Sequence, residues 1–475
     1  MEGVLEPGKC RDGESLVHRF EVNGSRLILD VNSGALFEVD QVAWDIVGLG
    51  ARAGFDEVMV RLGKSHQSEH LEAAFRELCQ LKDRGLLFSR DRTQQGWYDG
   101  RELPCKALCL HVSHDCNLRC AYCFAQTGNY GGQRRLMPLE VARAAVDFLL
   151  RSCGPQENLE VDFFGGEPLL NLAVIKQVVE YAREQEEKHH KRFHFTVTTN
   201  AVSLDEDTIR FLNCEVSNVV LSLDGRPEVH DSVRRLSNGR GSYQLVRDNI
   251  LRFVASRDGD YWVRGTFTRC NLDFSRDVLH LADLGFRNIS VEPVVGLPDD
   301  PYSIRPQDLP RVEKEYETLA RAYLERWAAG RGFYFFHFEV DLEGGPCLAK
   351  RLTGCGAGSQ YLAVAPDGGL YPCHQFVGRE GFAVGNVFSG LVGTEIVDKF
   401  RKANIYRKED CRLCWARFYC GGGCHANAHL LKGSIYRMDP VGCALQKKRI
   451  ECALWLKARR LQGKVPVATA YQATR

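Results

Sequence analysis

The sequence predicts an α/β protein in which a partial (β/α)6 TIM barrel lies between a winged-helix-like N-terminal domain and a cysteine-rich C-terminal domain. Three observations predict this order. Extended runs and amphipathic helical segments alternate six times in the middle of the chain, short extended runs precede helices near the N-terminus, and cysteines and glycines crowd residues 345–450. Six strand–helix units are fewer than the eight of a closed barrel, so we expect an open one.

The predicted N-terminal domain takes up residues 1–95 and is followed by a polar linker to residue 104. Asn-Gly and Asn-Ser-Gly turn signals separate its three extended runs, as is typical of antiparallel strands. These runs span residues 17–22, 26–31 and 35–39. Helical periodicity follows near residues 41–50, 55–62 and 69–85. This order and size favour a small winged-helix domain.

The barrel is predicted over residues 105–340. Its strands are expected at residues 107–113, 159–164, 193–199, 217–224, 261–269 and 288–293. Its helices are expected near residues 139–151, 172–188, 205–213, 242–256, 274–284 and 308–329. Strands that alternate with helices in this way form parallel sheets.

The C-terminal part is predicted to be a domain over residues 341–455, followed by a basic tail over residues 456–475. Long periodic runs are few in this domain, while Gly and Cys are frequent. That composition indicates a fold organised around bound metal.

Composition excludes several classes of partner. The 475 residues carry a formal net charge of +1, so neither nucleic acid nor an anionic membrane is expected as a partner. No apolar run approaches the length of a membrane span, and the N-terminus lacks a signal-peptide core. We therefore expect a cytoplasmic protein. In a reducing compartment, its 19 cysteines are better explained as metal ligands than as disulfides.

Three cysteines, Cys116, Cys120 and Cys123, follow the first predicted barrel strand with C-x3-C-x2-C spacing. Three thiolates from one loop can hold three irons of a cubane cluster and leave the fourth iron without a protein ligand. A small molecule can chelate that iron and receive an electron there. The alternatives are a zinc site or three unrelated cysteines; zinc normally takes four ligands, and no fourth ligand is adjacent.

The second predicted strand ends in Phe164-Gly165-Gly166-Glu167-Pro168. Two glycines let the backbone approach a ligand closely, and an acidic or carbonyl acceptor there can meet an ammonium group. By itself the pattern is also typical of an ordinary turn between a strand and a helix. Its position one unit after the three cysteines favours a shared site.

With Tyr122 before its third cysteine, the first motif resembles the signature of the radical S-adenosylmethionine (SAM) superfamily, and the second resembles that family's GGEP element. The resemblance implies that the open iron binds SAM and that reduction cleaves SAM into methionine and a 5′-deoxyadenosyl radical. Ser222 and Arg234 would hold the SAM carboxylate, since Arg can bind it bidentately; alternatively, they cap a helix or form a surface ion pair. The predicted SAM-binding residues are Tyr122, Gly165, Gly166, Glu167, Pro168, Asn200, Ser222, Asp224 and Arg234.

A second set of cysteines resembles the SPASM extension of radical SAM proteins. Its members are Cys355, Cys373, Cys411, Cys414, Cys420, Cys424 and Cys443. The resemblance implies two auxiliary 4Fe–4S clusters, hence three clusters in all. The first would be bound by Cys355, Cys373 and Cys424, and the second by Cys411, Cys414, Cys420 and Cys443. Cys347 could be the eighth ligand; alternatively, the first cluster keeps an open iron for a substrate thiolate. A zinc ribbon is the competing interpretation of the Cys411–Cys424 spacing.

The N-terminal domain resembles the PqqD-like recognition element of enzymes that modify ribosomally made peptides. Residues 22–47 in particular resemble the start of maturases for Cys-rich SCIFF peptides, which are thioether-forming sactipeptide and ranthipeptide synthases. The resemblance implies that residues 16–90 bind the leader of a Cys-rich precursor peptide at an open sheet edge. A flavodoxin or ferredoxin would be the electron donor.

The implied reaction joins a Cys sulfur of the precursor to a carbon of another residue in the same peptide. The radical removes a hydrogen atom from that carbon, and no protein side chain is assigned as a catalytic acid or base. Two alternatives stay open. One is a sulfatase-type formylglycine maturase, which shares the two cysteine patterns, or another SPASM peptide-modifying enzyme. The other is a non-enzymatic iron–sulfur carrier or scaffold, for which a SAM pocket has no use.

Overall fold

A computed structural model describes residues 16–91, 103–342, 348–392 and 394–461. Most of the predicted linker, the possible ligand Cys347 and the end of the predicted tail lie outside these residues. The strands are β1 (Val17–Val22), β2 (Ser25–Asp30), β3 (Leu36–Glu38), β4 (Ala107–Ser113), β5 (Leu118–Cys120), β6 (Asn158–Gly165), β7 (Arg192–Thr199), β8 (Asn218–Ser222), β9 (Arg234–Leu236), β10 (Asp260–Phe267), β11 (Asn288–Pro293), β12 (Tyr334–Phe335), β13 (Tyr361–Val364), β14 (Gly369–Tyr371), β15 (Gly385–Asn386) and β16 (Gly390–Leu391).

The helices alternate with the strands in the middle of the chain and dominate its end. They are α1 (Gln41–Gly48), α2 (Phe55–Leu62), α3 (Ser68–Asp83), α4 (Leu139–Ser152), α5 (Leu172–His189), α6 (Glu206–Glu215), α7 (Pro227–Val233), α8 (Tyr243–Ala255), α9 (Ser275–Asp283), α10 (Leu309–Ala328), α11 (Leu348–Thr353), α12 (Thr394–Lys402), α13 (Glu409–Arg412), α14 (Arg417–Cys420), α15 (His425–Lys432) and α16 (Pro440–Leu461). Within the described residues, no helix combines the length and apolarity that crossing a membrane requires.

The predicted partial barrel is confirmed. Its six strands, β4, β6, β7, β8, β10 and β11, are adjacent in one sheet and pair in parallel. The sheet is longer than predicted, because β12 extends it beyond β11 and β13 pairs in parallel with β4. Strands β14 to β16 then continue antiparallel. The C-terminal domain is therefore built onto the first edge of the barrel.

Alternating side chains explain how the barrel is layered. On β4, Leu108, Leu110 and Val112 are buried in the main core with the apolar side chains of the surrounding helices. Cys109 and His111 point to the opposite face and are also buried. The strand is covered on both sides, which is why its sequence is almost continuously apolar.

The N-terminal sheet, in the order β1-β2-β3, is covered on both faces. Ile28 packs with α1–α3, while Leu27 and Leu29 belong to the main core that includes α16. Trp455 of α16 donates a hydrogen bond from Nε1 to Oγ of Ser25 over 3.2 Å. The module is thus docked on the C-terminal helix, with part of its apolar surface in the same core as the barrel.

The predicted start of the tail at residue 456 is wrong. Helix α16 runs on to Leu461, because Leu456, only 1% exposed, is packed in the main core. Arg460 also donates hydrogen bonds to Glu339 and to the Tyr323 hydroxyl. Residues 456–461 are therefore part of the folded C-terminal domain.

Candidate active site and metal centres

The loop after β4 carries Cys116, Cys120 and Cys123 and folds back on the ends of the barrel strands. Cys120 ends β5, which pairs with β9 so that Cys120 lies opposite Arg234. At Gly166 a Cβ atom would come within 2.2 Å of the Asp115 carbonyl oxygen, so only glycine allows the loop to pack this closely. The cysteine loop and the Gly-Gly turn are therefore one packed unit.

A cavity opens between this loop and the ends of β6, β7 and β8. Its lining includes the three cysteines together with most of the residues predicted to bind SAM: Cys116, Cys120, Tyr122, Cys123, Gly165, Gly166, Asn200, Ser222 and Arg234. Phe124 and Phe164 add apolar walls. Residues from five separate segments thus converge on one site at the carboxyl ends of the strands, where ligands bind in barrels of this kind.

Arg234 is held in place by a buried carboxylate. Asp224, which is fully buried, accepts hydrogen bonds at Oδ2 from the Tyr122 hydroxyl over 2.5 Å and from Arg234 Nε over 2.9 Å. Its Oδ1 accepts from the backbone N–H of Thr266 over 3.0 Å. Asp224 is not among the residues lining the cavity. It acts on the site by fixing the direction of the guanidinium group.

The remaining hydrogen-bond donors of Arg234, together with the Ser222 hydroxyl, face the cavity. Among the described residues, the Arg234 side chain donates hydrogen bonds from Nε and from neither terminal nitrogen, and both Arg234 and Ser222 line the cavity. A guanidinium edge and a hydroxyl on one wall suit a carboxylate, which accepts a pair of parallel hydrogen bonds from Arg.

Glu167 and Pro168 lie behind the wall of the cavity. The Glu167 carboxylate is 1% exposed and accepts hydrogen bonds from the Thr199 hydroxyl over 2.7 Å and from the backbone N–H of Asn200 over 2.8 Å. Burial raises the pKa of Glu167 to about 7, while these hydrogen bonds act in the opposite direction. In the structure Glu167 braces the ends of β6 and β7, and its direct contact with a cofactor ammonium stays a prediction.

Neighbouring thiols affect the pKa values of the C-terminal cysteines, and the first group of neighbours includes Cys373. Burial raises the pKa of Cys373 to about 12, and the neighbouring thiols of Cys424 and Cys355 add to this effect. Cys355 and Cys424 are themselves exposed. This first set therefore borders solvent on one side.

The second set lies around Cys411. Burial raises the pKa of Cys411 to about 12; Lys408 opposes this, and the thiols of Cys420, Cys414 and Cys443 add to it. Because these side chains influence one another's charge, they must lie close together. The structure thus brings together the four cysteines predicted for the second auxiliary cluster.

Thiols with raised pKa values are protonated at neutral pH and release their protons when a metal binds, so iron binding is favoured at higher pH. Among the described residues, no three His, Cys, Asp or Glu side chains lie close enough to share a single metal ion. A cubane binds each thiolate at a different iron, so its ligands need not converge on one point. The possible ligand Cys347 lies outside the described residues.

Sequence reasoning missed two groups of residues. Inside the barrel, Arg264 of β10 pairs with Glu292 of β11 over 3.1 Å, and Asp162 of β6 has its pKa raised to about 7 by burial. In the C-terminal domain, Lys408 is fully buried beside the cysteines. No motif contains these residues; alternation along the strands could have placed the first three in the barrel interior.

Comparison with known families agrees with this geometry. Residues 110–258 match the model of the Radical SAM superfamily, and residues 355–415 match the SPASM model, described as an iron–sulfur cluster-binding domain. The chain contains a radical SAM region and a SPASM region. Both cysteine patterns lie in or next to the matched regions. The cavity described above is formed largely by residues of the region that matches the radical SAM model.

Two relatives resemble this chain at low identity. A cysteine-type anaerobic sulfatase-maturating enzyme of Clostridium novyi is 24% identical over 341 residues, which are 66% of this chain and 86% of the relative. The radical SAM cyclopropyl synthase TigE of Paramaledivibacter caminithermalis is 22% identical over 363 residues, 72% of each chain.

Two solved structures share the fold. The structure of anSMEcpe with bound AdoMet and the Cp18Cys peptide has a TM-score of 0.62 and 22% identity, and the match covers 75% of this chain and 99% of that one. Streptococcus suis SuiB bound to its precursor peptide SuiA has a TM-score of 0.51 and 16% identity, with 91% of this chain and 99% of that chain covered. The second match therefore takes in more of this chain than the first.

The residues present fit the cofactors of such a protein, which are SAM and 4Fe–4S clusters. Three cysteines from one loop line the cavity, which leaves room for a ligand other than protein on a fourth iron. The donors of Ser222 and Arg234 that face the cavity suit the carboxylate of SAM. A zinc site would not need this carboxylate-binding wall of the cavity.

Proposed function

We propose that this chain modifies a ribosomally made, Cys-rich precursor peptide by forming thioether cross-links within it. The observation that carries the proposal is the combination, in one packed body, of the cysteine-lined cavity and a docked N-terminal sheet. The relatives named above include a cyclopropyl synthase and a protein solved with its precursor peptide, which supports a peptide as the substrate.

Each part of the cavity has a role in this proposal. Cys116, Cys120 and Cys123 would hold three irons, and Ser222 with Arg234 would hold the SAM carboxylate. When bound, SAM and the clusters would supply the radical that removes a hydrogen atom from the peptide and would take up the electron released when sulfur bonds to carbon. Phe124 and Phe164 would exclude water from that carbon, which protects a reactive intermediate.

The N-terminal module would recognise the leader of the precursor. Two backbone hydrogen bonds flank β3: Asp30 N–H donates to the Ala35 carbonyl oxygen, and Val39 N–H donates to the Arg26 carbonyl oxygen. Because hydrogen-bonded and non-hydrogen-bonded pairs alternate in antiparallel strands, Phe37 is hydrogen-bonded to β2, and the backbone N–H and C=O of Leu36 point away from β2. β3 is an edge strand. The half-buried Phe37 side chain would give an added peptide strand an apolar contact.

The first auxiliary set has three described ligands, Cys355, Cys373 and Cys424. We infer that its fourth iron takes a Cys thiolate of the substrate rather than Cys347. The exposure of Cys355 and Cys424 supports this, because a peptide could reach the cluster from solvent. Metal binding would lower the pKa of that substrate thiol. A flavodoxin or ferredoxin would supply the reducing electron.

The test is to incubate the anaerobically reconstituted protein with SAM, dithionite and a Cys-rich precursor. We expect the peptide to lose two hydrogens per cross-link and to resist alkylation at the joined cysteines. Recovery of fully alkylatable peptide, despite SAM cleavage, would overturn thioether formation.

The identity to a cysteine-type sulfatase-maturating enzyme favours one competitor, conversion of a Cys to formylglycine. The same incubation with a sulfatase-derived Cys peptide distinguishes the two activities. Formylglycine formation replaces the thiol with an aldehyde, which a hydrazide reagent detects, whereas a thioether gives no such product.

A further inference from the structure

Lys408 is a fully buried cation in the C-terminal domain. Its Nζ donates a hydrogen bond to the Gly422 carbonyl oxygen over 2.6 Å and lies 3.2 Å from Nδ1 of His425. A Cβ atom at Gly422, whose φ is +90°, would lie 3.2 Å from Nζ. The glycine therefore lets its backbone meet the ammonium group closely.

None of the carboxylates among the described residues forms an ion pair with Lys408. Glu409 and Asp410 follow it in the chain, but both are exposed. A buried ammonium group without an anionic partner is strongly unfavourable. Lys408 therefore stays charged only if negative charge is supplied to this position in some other form.

The groups that favour the charged lysine are cysteines from both auxiliary sets. Burial lowers the pKa of Lys408, and the thiols of Cys411, Cys420, Cys424 and Cys355 oppose that effect. Cys411 and Cys420 belong to the second set, and Cys424 and Cys355 to the first. Two contacts agree with this: Gly422, to which Lys408 donates, lies in the chain between Cys420 of the second set and Cys424 of the first, and the backbone N–H of Cys411 donates to the Lys408 carbonyl oxygen over 2.9 Å. Lys408 therefore lies beside cysteines of both sets.

Thiolate-bound cubanes carry net negative charge, and one-electron reduction makes that charge more negative. Their reduction potentials depend on the surrounding charge and on burial. A fixed positive charge between two clusters favours the reduced state of each. It also compensates part of the repulsion between them.

We propose that Lys408 is the shared counter-charge of the two auxiliary clusters and raises the reduction potential of both. The proposal rests on the auxiliary clusters of the proposed function but not on the peptide substrate. Lys408 is a positioning residue here: it touches no substrate and acts through the charge that it places beside the clusters.

The test measures potentials rather than activity. Full-length protein in which Cys116, Cys120 and Cys123 are replaced by Ala isolates the auxiliary signals, which are followed by paramagnetic resonance during a potentiometric titration. We expect Lys408→Met and Lys408→Gln both to make auxiliary reduction about tenfold less favourable, a shift of about 59 mV to lower potential for a one-electron couple. Lys432→Met, at an exposed position at the end of α15, should leave the potentials unchanged.

The two neutral variants separate charge from hydrogen bonding, because Gln can still donate to Gly422 and Met cannot. Unchanged potentials in both, a shift in Lys408→Met alone, or loss of auxiliary iron in both would overturn the counter-charge. Absence of auxiliary signals from the parent protein is a different result, since it would overturn the cluster assignment itself.

Discussion

Cys120 and Arg234 lie opposite each other on the antiparallel strands β5 and β9. One short backbone ladder therefore sets the spacing between a predicted iron ligand and the predicted anchor of the SAM carboxylate. Asp224 and Tyr122 then fix the Arg234 side chain from behind. The carboxylate anchor is thus rigid before any cofactor arrives, which lowers the entropy cost of binding.

We expect Arg234→Lys to weaken SAM binding about tenfold to a hundredfold, since a hydrogen bond to a charged group contributes about 1.5–3 kcal/mol. Lysine cannot present two parallel donors. Equilibrium binding of SAM to the reconstituted protein measures the effect. Arg235→Lys is the matched control, because Arg235 is exposed and adjacent in the chain; an equal loss in both variants would argue against a specific carboxylate contact.

Replacing Cys116, Cys120 and Cys123 together with Ala should lower iron from about twelve to about eight per chain and abolish SAM cleavage. The reason is that only this set lines the cavity with Arg234. Iron analysis and the yield of 5′-deoxyadenosine give the two readouts. Cys214→Ala, at an exposed cysteine near the end of α6, should change neither. Stoichiometric zinc in the wild-type protein would contradict the assignment.

Phe37→Ala should weaken binding of the precursor leader while leaving SAM cleavage by dithionite intact, because Phe37 lies on the edge strand β3 and is not among the residues lining the cavity. Fluorescence anisotropy of a labelled leader measures the affinity. Val60→Ala removes an 81% exposed apolar side chain from the same module and serves as the control. If only the Val60 variant lost affinity, the recognition surface would lie on α2 instead.

The apoprotein should lose stability as pH falls from about 6.5 to about 4. Burial lowers the pKa of His230 to about 4, despite the nearby carboxylate of Asp224, so the native state keeps this ring neutral while the unfolded chain takes up the proton. The full effect is about 3 kcal/mol, present above the unfolded pKa and lost below it. Denaturant titrations at several pH values should show a shallower dependence for His230→Gln. His189→Gln, at an exposed position, should keep the wild-type dependence.

Cys347→Ala should leave about twelve irons and still permit cross-linking, because the fourth site of the first auxiliary cluster is proposed to take a substrate thiolate. Addition of precursor should then perturb the paramagnetic resonance signal of that cluster. Loss of about four irons from the variant would instead make Cys347 a protein ligand. A precursor with its cysteines changed to serine is the control and should leave the signal unperturbed.

Local patterns predicted the barrel well because its elements are long and regular. β4 was predicted at residues 107–113 and occupies the same residues, since a strand that is covered on both faces has an unmistakable apolar run. The cysteine motifs could be identified equally well from the sequence, because their spacing is a property of the chain itself. Groups that depend on the fold could not be predicted in this way. Lys408 became a candidate only when folding placed Cys355 and Cys420 near it.

Contacts between distant segments also escaped prediction. The docking of β2 on α16 brings Ser25 and Trp455 into a hydrogen bond. In the sequence, each of these two segments by itself predicts only an ordinary strand or an amphipathic helix. The same reason explains the misplaced start of the tail. Lys and Arg near residue 460 indicate a solvated end, yet Leu456 just before them belongs to the core that also contains Leu27 and Leu29, more than 400 positions away.

The pairing of β13 with β4 means that the boundary between the two domains in the sequence is not a boundary in the sheet. Cutting the gene at residue 340 would expose the long apolar edge of β4, a surface that invites aggregation. The barrel and the SPASM domain should therefore be inherited and expressed as a unit. Exchange of modules between such proteins is better made in the linker before β4, and an exchanged N-terminal sheet would have to fit α16, which stays with the SPASM domain because it carries Cys443.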